Sequence, residues 1–170
     1  MLTLIIGGAG SGKSAFAESL CCRLSGRRVY LATMEALDEE SRRRAEKHRR
    51  QRAPLGFETL ECPRALEAAE IPAGANVLLE DLSNLLANEM FSPNGGGADA
   101  VRAGLEHVLR CSDNLTIMTN DVFSGGADYG EETRNYMRAL AAFNRNLAAR
   151  ADLAVEVVCG LPNVLKGELP

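Results

Sequence analysis

A glycine-rich segment near the start of the chain limits the possible folds more than any other feature. An apolar run at residues 2–6 leads into Gly-Gly-Ala-Gly-Ser-Gly-Lys-Ser at residues 7–14, and a helical pattern follows. Glycines let the backbone turn tightly enough to aim successive N–H groups at one point, and a helix that begins there adds the positive end of its dipole. The segment fits the pattern G-x-x-x-x-G-K-[ST] in full, which predicts a cradle for nucleotide phosphates.

The residues of this phosphate cradle, 7–14, have separate expected tasks. Lys13 is expected to act in catalysis as a mobile charge on the β- and γ-phosphates, and the Ser14 hydroxyl to ligate Mg²⁺. A glycine-rich turn without a ligand is the alternative, but the position between a strand and a helix favours nucleotide binding. We expect backbone groups around the phosphate oxygens from Gly7, Gly8, Ala9, Gly10, Ser11 and Gly12.

Strand-length apolar runs alternate with helical patterns along the whole chain. This alternation predicts an α/β fold, in which a mostly parallel sheet carries helices on both faces, as one domain over residues 1–170. Gly26 is expected as the C-cap glycine of the first helix. The predicted strands are 2–6, 28–33, 57–61, 76–80, 115–119 and 153–158, and the predicted helices are 14–24, 38–51, 82–91, 98–111 and 131–150.

Composition narrows the class of protein. The net charge of −4 argues against general nucleic-acid binding, which needs a basic surface. No apolar run approaches the roughly 20 residues of a membrane-spanning helix, and the apolar start runs directly into the cradle, which indicates a strand and not a signal peptide. The five cysteines are odd in number and form no C-x-x-C pair, so we expect reduced thiols and a cytoplasmic protein.

A pair of acids follows one of the buried strands. The sequence VLLED at residues 77–81 ends in Glu80 and Asp81, and strand alternation points these two side chains to opposite sides. One of the two is expected to face the metal ion and the other to begin the following helix; Glu80 is favoured for the metal, and the role of Asp81 versus Glu80 stays open. The alternative is an ordinary acid at the end of a strand that caps a helix.

An arginine-rich helix carries one of the two histidines. On a helix Glu40, Arg44 and His48 are spaced by four and share a face, and Arg52 continues the row if the helix extends that far. A neutral imidazole is a nucleophile toward phosphorus, and neighbouring guanidinium groups can hold the attacked phosphate. By itself this pattern indicates a solvated charged face more often than a site. His107 lies on an amphipathic helix and is expected to be structural or solvated.

Several segments together resemble a known family. They occur in the order GGAGSGKSAFAE, VYLATMEALDEESRRRAEKHRRQR, FETLE, VLLEDLSNLLANEMF, TNDVFSGG and ADLAVEVVCGLPNVLKG. The chain resembles the bifunctional adenosylcobinamide kinase / adenosylcobinamide-phosphate guanylyltransferase family of cobalamin biosynthesis over nearly its whole length. The arrangement D-x-E-x-x-x-R-x-x-x-H-x-x-x-R from Asp38 to Arg52 and the ending GLP-x-x-LK are more specific than the cradle, which many NTPases share.

The resemblance implies a RecA-like P-loop fold, a homotrimer and two reactions. A nucleoside triphosphate, ATP or GTP, phosphorylates adenosylcobinamide, and a histidine then takes GMP from GTP and passes it to the substrate phosphate. By match to the family pattern His48 is the guanylylated residue. The implied nucleotide contacts beyond the cradle are Thr33, Met34, Arg50, Gln51, Arg52, Ala53, Glu61 and Glu80.

The chain departs from the family pattern at a few positions. Ser41 and Ala45 stand where Met and Ile are frequent, Phe57 replaces a common Trp, and Asp121 replaces a more usual Glu. None of these changes removes a proposed chemical group. Two alternatives stay open from the sequence: a P-loop small-molecule kinase with no covalent step, and a nucleotide-switched binding module without turnover. The loops 92–97 and 120–130 suit either a substrate lid or a partner surface.

Overall fold

A seven-stranded sheet forms the centre of the protein. The computed structural model describes residues 1–35, 38–122 and 128–170, except for the side chains of Ser41, Arg44 and Gln51. The order across the sheet is β3-β2-β4-β5-β1-β6-β7, and every neighbouring pair is parallel except β6 and β7. The strands are β1 (Leu2–Gly7), β2 (Arg28–Ala32), β3 (Phe57–Glu61), β4 (Ala75–Leu79), β5 (Ser112–Asn120), β6 (Leu153–Val158) and β7 (Leu161–Lys166).

Helices cover both faces of the sheet, as the alternation of patterns predicts. One apolar core lies between the sheet and α3, α4 and α5, and a second lies between the opposite face and α1. The mostly parallel α/β class is therefore confirmed. In the described residues no helix combines the length and the apolar composition that crossing a membrane needs. The helices are α1 (Lys13–Cys22), α2 (Glu39–Arg52), α3 (Leu82–Phe91), α4 (Gly97–Cys111) and α5 (Glu131–Arg150), with short 3-10 helices at Ala53–Leu55 and Leu66–Ala68.

Strand β4 shows how the apolar pattern sets the side of each residue. All five of its residues are buried. Val77 and Leu79 pack into the core under α3, α4 and α5, whereas Leu78 packs into the core under α1. This alternation is what a strand buried on both faces requires. Continued past the strand, it places Glu80 on the side of α1 and Asp81 on the side of α3.

The prediction for the end of the first helix was wrong. The helix ends at Cys22, two residues before the predicted end, and its C-cap is Arg23 in a right-handed conformation. Gly26 has a φ of 102° and lies in the turn that leads to β2. The Arg28 guanidinium donates hydrogen bonds to carbonyls at and just after this helix end, those of Cys21, Cys22 and Leu24. Because a side chain satisfies these acceptors, a glycine cap directly after the helix is unnecessary.

Strand β7 was not predicted. Its sequence, LPNVLK, contains Pro162, which removes a ladder donor and argues against a strand in the interior of a sheet. The structure places this segment at the edge, antiparallel to β6, where a proline is tolerated. All six of its residues are exposed.

Candidate active site

The carboxyl ends of five parallel strands meet at one edge of the sheet. The phosphate cradle follows β1 at this edge, and Thr33 and Met34 follow β2. Glu61 ends β3, Glu80 follows β4, and Asn120 ends β5. In open α/β sheets ligands bind outside the carboxyl ends of the strands. The fold therefore brings most of the residues proposed for nucleotide binding to the edge where such a ligand is expected.

The cradle has the backbone that its sequence predicts. Gly10 and Gly12 have φ values of 71° and 90°, and α1 begins directly after Gly12. A side chain on Gly7 would place its Cβ atom 2.6 Å from the carbonyl oxygen of Val157. The Gly160 N–H, in the turn between β6 and β7, donates to the Ser11 carbonyl over 2.7 Å. The glycines thus allow both the tight turn of the cradle and the close approach of β6 and of the turn that follows β6.

Lys13 is the cation of this cradle. Its Nζ atom donates to the Gly8 carbonyl over 3.2 Å, so the ammonium group folds back over the loop. Partial burial lowers the pKa of Lys13, and the negative charge of Asp81 opposes that shift. A lysine that is partly desolvated and turned toward backbone carbonyls is placed to exchange those contacts for phosphate oxygens.

Asp81 is a polar junction between β4, α3 and β5. Its Oδ1 atom accepts from the Ser83 backbone N–H over 2.8 Å, which makes it the N-cap of α3. Its Oδ2 atom accepts from Asn120 over 2.6 Å, and Asn120 also donates to the Ser83 hydroxyl over 2.8 Å. Of the two acids, Asp81 is therefore the one that begins the following helix. Sequence reasoning missed Asn120, because a contact between the ends of two strands depends on the strand order.

Glu80 points away from Asp81, as strand alternation predicts. Its Oε2 atom accepts from the Thr33 backbone N–H over 3.1 Å. The Thr33 hydroxyl in turn donates to the Asp81 carbonyl over 3.0 Å, and the Thr33 carbonyl accepts from Asn88 over 2.8 Å. Thr33 is fully buried, so its side chain ties the end of β2 to the end of β4.

Helix α2 carries the histidine row without interruption. It extends to Arg52, so positions 40, 44, 48 and 52 lie at intervals of four on one continuous helix. The His48 side chain is half-buried, and its ring makes no hydrogen bond to a residue that the structure describes. The Arg44 side chain, the fourth member of the predicted row, lies outside the described residues.

A cavity of about 650 Å³ opens between α2 and the ends of β2 and β3. Arg49 lines this cavity, and its guanidinium donates a hydrogen bond of 2.6 Å to Glu61 Oε1. This volume lies in the range of small-molecule sites. Sequence reasoning missed Arg49, because its pairing with Glu61 depends on how α2 packs beside β3. The lining residues are Met34, Glu35, Arg42, Ala45, Glu46, Arg49, Glu61, Pro63 and Arg64.

Comparison with known proteins decides the family. The model of the family described as "Cobinamide kinase / cobinamide phosphate guanyltransferase" matches residues 3–165. The chain belongs to this cobinamide kinase / cobinamide phosphate guanyltransferase family. It is 34% identical to the bifunctional adenosylcobalamin biosynthesis protein CobP of Pseudomonas aeruginosa, over 99% of both chains. It is 29% identical to CobU of Salmonella typhimurium and 31% identical to CobU of Escherichia coli, in each case over 95% of this chain and 97% of the relative.

One solved structure resembles this chain less closely than the relatives above do. The P4 protein from bacteriophage phi6 in complex with ADP matches 96% of this chain and 52% of its own length, at 14% identity and a TM-score of 0.46. The chain thus spans about half the length of that protein, and the likeness carries no argument about function.

Residues 50–53, which the family resemblance implies as nucleotide contacts, differ in their exposure to solvent. Arg50 is exposed and pairs with Glu46 over 2.9 Å, and Ala53 is exposed in a short 3-10 helix. Arg52, in contrast, is only 4% exposed, and its guanidinium carbon lies 3.5 Å from the centre of the Tyr30 ring. The Gln51 side chain lies outside the described residues.

The residues expected to hold Mg²⁺ fit that ion in their chemistry. Ser14 is an exposed hydroxyl at the start of α1, and Glu80 is a carboxylate at the same edge of the sheet. Both are hard oxygen donors, which Mg²⁺ prefers, and the ion takes further ligands from nucleotide phosphates and water. The described residues contain no group of three or more His, Cys, Asp or Glu side chains that could hold a metal by themselves. A shared site with nucleotide therefore suits this chain.

The second histidine has a structural contact. His107 Nε2 lies 2.9 Å from the Ala69 carbonyl oxygen, between α4 and the segment before β4. This agrees with the structural interpretation of His107, whereas the His48 ring makes no hydrogen bond to any residue that the structure describes.

Proposed function

We propose that the protein phosphorylates adenosylcobinamide and then transfers GMP from GTP to the new phosphate by way of a guanylyl-histidine at His48, which gives adenosylcobinamide-GDP. One observation carries this proposal: the edge of the sheet that holds a complete phosphate cradle lies beside an arginine-rich helix with a half-buried histidine whose ring has no hydrogen-bond partner among the described residues. Membership of the cobinamide kinase / cobinamide phosphate guanyltransferase family supports both reactions. The names of the relatives, bifunctional adenosylcobalamin biosynthesis proteins, support the pathway.

The kinase step needs positioning and charge neutralisation more than a covalent group. The cradle and the N-terminus of α1 hold the triphosphate of ATP or GTP through backbone N–H groups. Lys13 exchanges its bond to the Gly8 carbonyl for phosphate oxygens. Ser14 and Glu80 would hold Mg²⁺, which would supply positive charge to the phosphate oxygens. The substrate hydroxyl forms the new O–P bond, and the nucleoside diphosphate leaves with the electrons of the broken bond.

The guanylyl step needs a nucleophile, and His48 is the group available. A ring nitrogen forms an N–P bond to the α-phosphorus of GTP, and the bond to the β-phosphate oxygen breaks, so pyrophosphate leaves. A phosphate oxygen of the corrinoid substrate then attacks the same phosphorus, and the N–P bond breaks to restore the imidazole. The cavity lined by Met34, Arg49 and Glu61 is proposed to hold the nucleotide during this step.

The proposal also covers the domain organisation, the cellular location and the oligomeric state. We assign one catalytic domain to residues 1–170, a cytoplasmic location and a homotrimer, with no nucleic-acid partner. All five cysteines lie in described parts of the chain and are free, which supports a reducing compartment. Several large apolar side chains are exposed on and beside β7, which supports a surface covered by another copy.

Retention of label on the protein tests the covalent step. Purified protein is incubated with Mg²⁺ and GTP labelled at the α-phosphate, denatured and counted, with γ-labelled GTP in parallel. We expect acid-labile α-label and no γ-label. His48→Ala abolishes the label while phosphorylation of adenosylcobinamide continues, and His107→Gln, the matched control, keeps both. Lys13→Ala lowers both activities by roughly a hundredfold, because both use the cradle.

Each negative result selects an alternative. Absence of α-label with intact phosphorylation of adenosylcobinamide would indicate a kinase without a covalent step. Tight nucleotide binding without consumption of corrinoid would indicate a nucleotide-switched binding module. Equal loss of both activities in a folded His48→Ala protein would refute the separate role of His48.

A further inference from the structure

Arg52 is buried at the end of a helix whose other described arginine side chains face solvent. It is 4% exposed, whereas the side chains of Arg43 and Arg50 on the same helix are 78% and 79% exposed. Its guanidinium carbon lies 3.5 Å from the centre of the Tyr30 ring, and its buried Nε atom has no hydrogen-bond partner among the described residues. A buried cation with an unpaired donor costs free energy, so packing alone does not account for it.

Tyr30 is the platform for this cation. It lies in β2, is 2% exposed, and meets the Phe57 ring edge to face at 6.1 Å. Burial and the charge of Glu80 raise the pKa of Tyr30, whereas the charge of Arg52 opposes that shift. The ring face is occupied by Arg52, and the negative charge of Glu80, which follows β4, acts on the same tyrosine.

Glu18, on the helix that follows the cradle, interacts electrostatically with Arg52 and Glu80. It lies on α1, five residues after Lys13, and is half-buried. Burial raises the pKa of Glu18, the charge of Arg52 opposes this, and the charge of Glu80 adds to it. Glu18, Tyr30, Arg52 and Glu80, which we call the Arg52 cluster, thus come from α1, β2, α2 and the end of β4.

The cluster includes one residue from each of the two helices that carry His48 and Lys13. Arg52 is one helical turn beyond His48, about 6 Å along the axis of α2. Glu18 is about 7.5 Å along α1 from Lys13. Fixing Arg52 against Tyr30 therefore fixes the end of the histidine helix against the body that carries the cradle.

We propose that Tyr30 and Arg52 are positioning residues for guanylyl transfer: the guanidinium stacked on the buried ring sets where α2 holds His48 relative to the cradle. This role rests on the proposed covalent step at His48. It assigns Arg52 to the interior of the protein and not to direct contact with nucleotide. Misplacement of a reacting group by about 1 Å can cost roughly a hundredfold in rate, so a loosened helix end affects the step that His48 performs.

The test compares two variants of the ring. Tyr30→Leu removes the aromatic face, and Tyr30→Phe keeps the face and removes only the hydroxyl. For each variant we measure the rate of α-label uptake from GTP over a range of concentrations, the phosphorylation of adenosylcobinamide, and unfolding in urea. We expect Tyr30→Leu to lower the maximal labelling rate roughly tenfold to a hundredfold with kinase activity within about twofold, and Tyr30→Phe to label close to the wild-type rate.

Two further variants separate positioning from packing and from nucleotide contact. Val29→Ala is the control for packing, because Val29 is a neighbour on β2 that faces the opposite core. Arg52→Lys keeps the charge and loses the flat group, so it should slow labelling in the wild-type background and add little to Tyr30→Leu. If Tyr30→Leu does not fold, Tyr30→Met takes its place in this comparison, because methionine also lacks the aromatic face and is flexible enough to fill the space.

The possible failures are distinct. If the wild-type chain takes up no label, the proposed function fails, and the positioning role fails with it. If the wild type labels and Tyr30→Leu labels equally fast, the positioning role alone is wrong. Parallel loss of both activities in Tyr30→Leu and Val29→Ala would assign Tyr30 to packing. Additive effects of Arg52→Lys and Tyr30→Leu would assign Arg52 to the nucleotide.

Discussion

Burial raises the pKa of one carboxyl group in this protein, and a hydrogen bond from an arginine lowers the pKa of another. Burial is the larger influence on Glu18 and raises its pKa, although Arg52 opposes the shift. For Glu106 on α4 the hydrogen bond from Arg150 is the larger influence and lowers the pKa. An acid with a raised pKa contributes stability below its unfolded pKa that is lost as the pH rises through the folded value, and an acid with a lowered pKa does the reverse.

These two acids give a prediction with opposite signs. Glu18→Gln should raise the urea midpoint at pH 7 relative to the wild type and change it less at pH 4, because the uncharged amide avoids the cost of a buried charge. Glu106→Gln should lower the midpoint at pH 7 and change it less at pH 3, because the contribution of the wild-type carboxylate is lost as the pH falls through its lowered pKa. Urea unfolding at these pH values measures both effects. A pH dependence of the same sign in the two variants would contradict the assignment of burial and pairing.

At the level of residues, the sequence predicts the side of the sheet to which a side chain points better than it predicts the residue that this side chain contacts. Strand alternation alone separates Glu80 from Asp81, because the period of two continues past the end of β4. The burial of Arg52 could not be predicted in this way. Its spacing from His48 indicates a charged helix face, and the ring on which it stacks lies on a strand 22 positions earlier. Only the packing of α2 against the sheet brings the two together.

At the level of elements, the cradle depends on the turn between β6 and β7. Gly12 has a φ of 90°, and a Cβ atom there would lie 3.0 Å from the Gly160 Cα atom. Gly8 has no such constraint, because a Cβ atom there would meet no atom within 4 Å. The two glycines lie in the same loop, so they form a matched pair.

Alanine substitutions at this pair should differ in stability. Gly12→Ala should lower the free energy of unfolding by about 1–2 kcal/mol, from the left-handed backbone and the close backbone contact. Gly8→Ala should change it by less than about 0.5 kcal/mol. Urea unfolding without nucleotide measures both, so contacts with a ligand do not contribute. Equal effects would show that the turn at Gly160 does not constrain the cradle.

The elements themselves could be predicted where one local signal dominates. Helices α3 and α5 and strands β3 and β6 have their predicted bounds, because apolar periodicity and the flanking residues agree there. Strand β7 could not be predicted, because Pro162 is compatible with a strand only at an edge and edge position follows from topology. The early end of α1 depends on Arg28, which caps the helix from the next strand.

At the level of the whole molecule, β7 leaves an apolar edge uncovered. Leu161 is 71% exposed and Leu165 is 59% exposed, with Val158 and Val164 beside them. An edge strand offers unpaired backbone groups, and a cluster of exposed large apolar side chains indicates a surface that another chain covers. A second copy of this chain is the partner that the proposed homotrimer supplies. The turn that joins β6 to β7 also donates to Ser11 of the cradle, so packing on β7 would support the loop that holds nucleotide.

Light scattering after size exclusion measures this assembly. We expect the wild-type protein to elute with about three times the chain mass of 18.3 kDa. The double variant Leu161→Glu and Leu165→Glu should shift toward the mass of one chain and bind nucleotide more weakly, because charges at the covered edge oppose burial. Phe91→Glu, which changes an apolar side chain of similar exposure on α3, is the control and should keep the wild-type mass. A single-chain mass for the wild type would contradict the trimer, whereas a trimeric double variant would place the contact between copies on another surface and leave the apolar edge of β7 for a different partner.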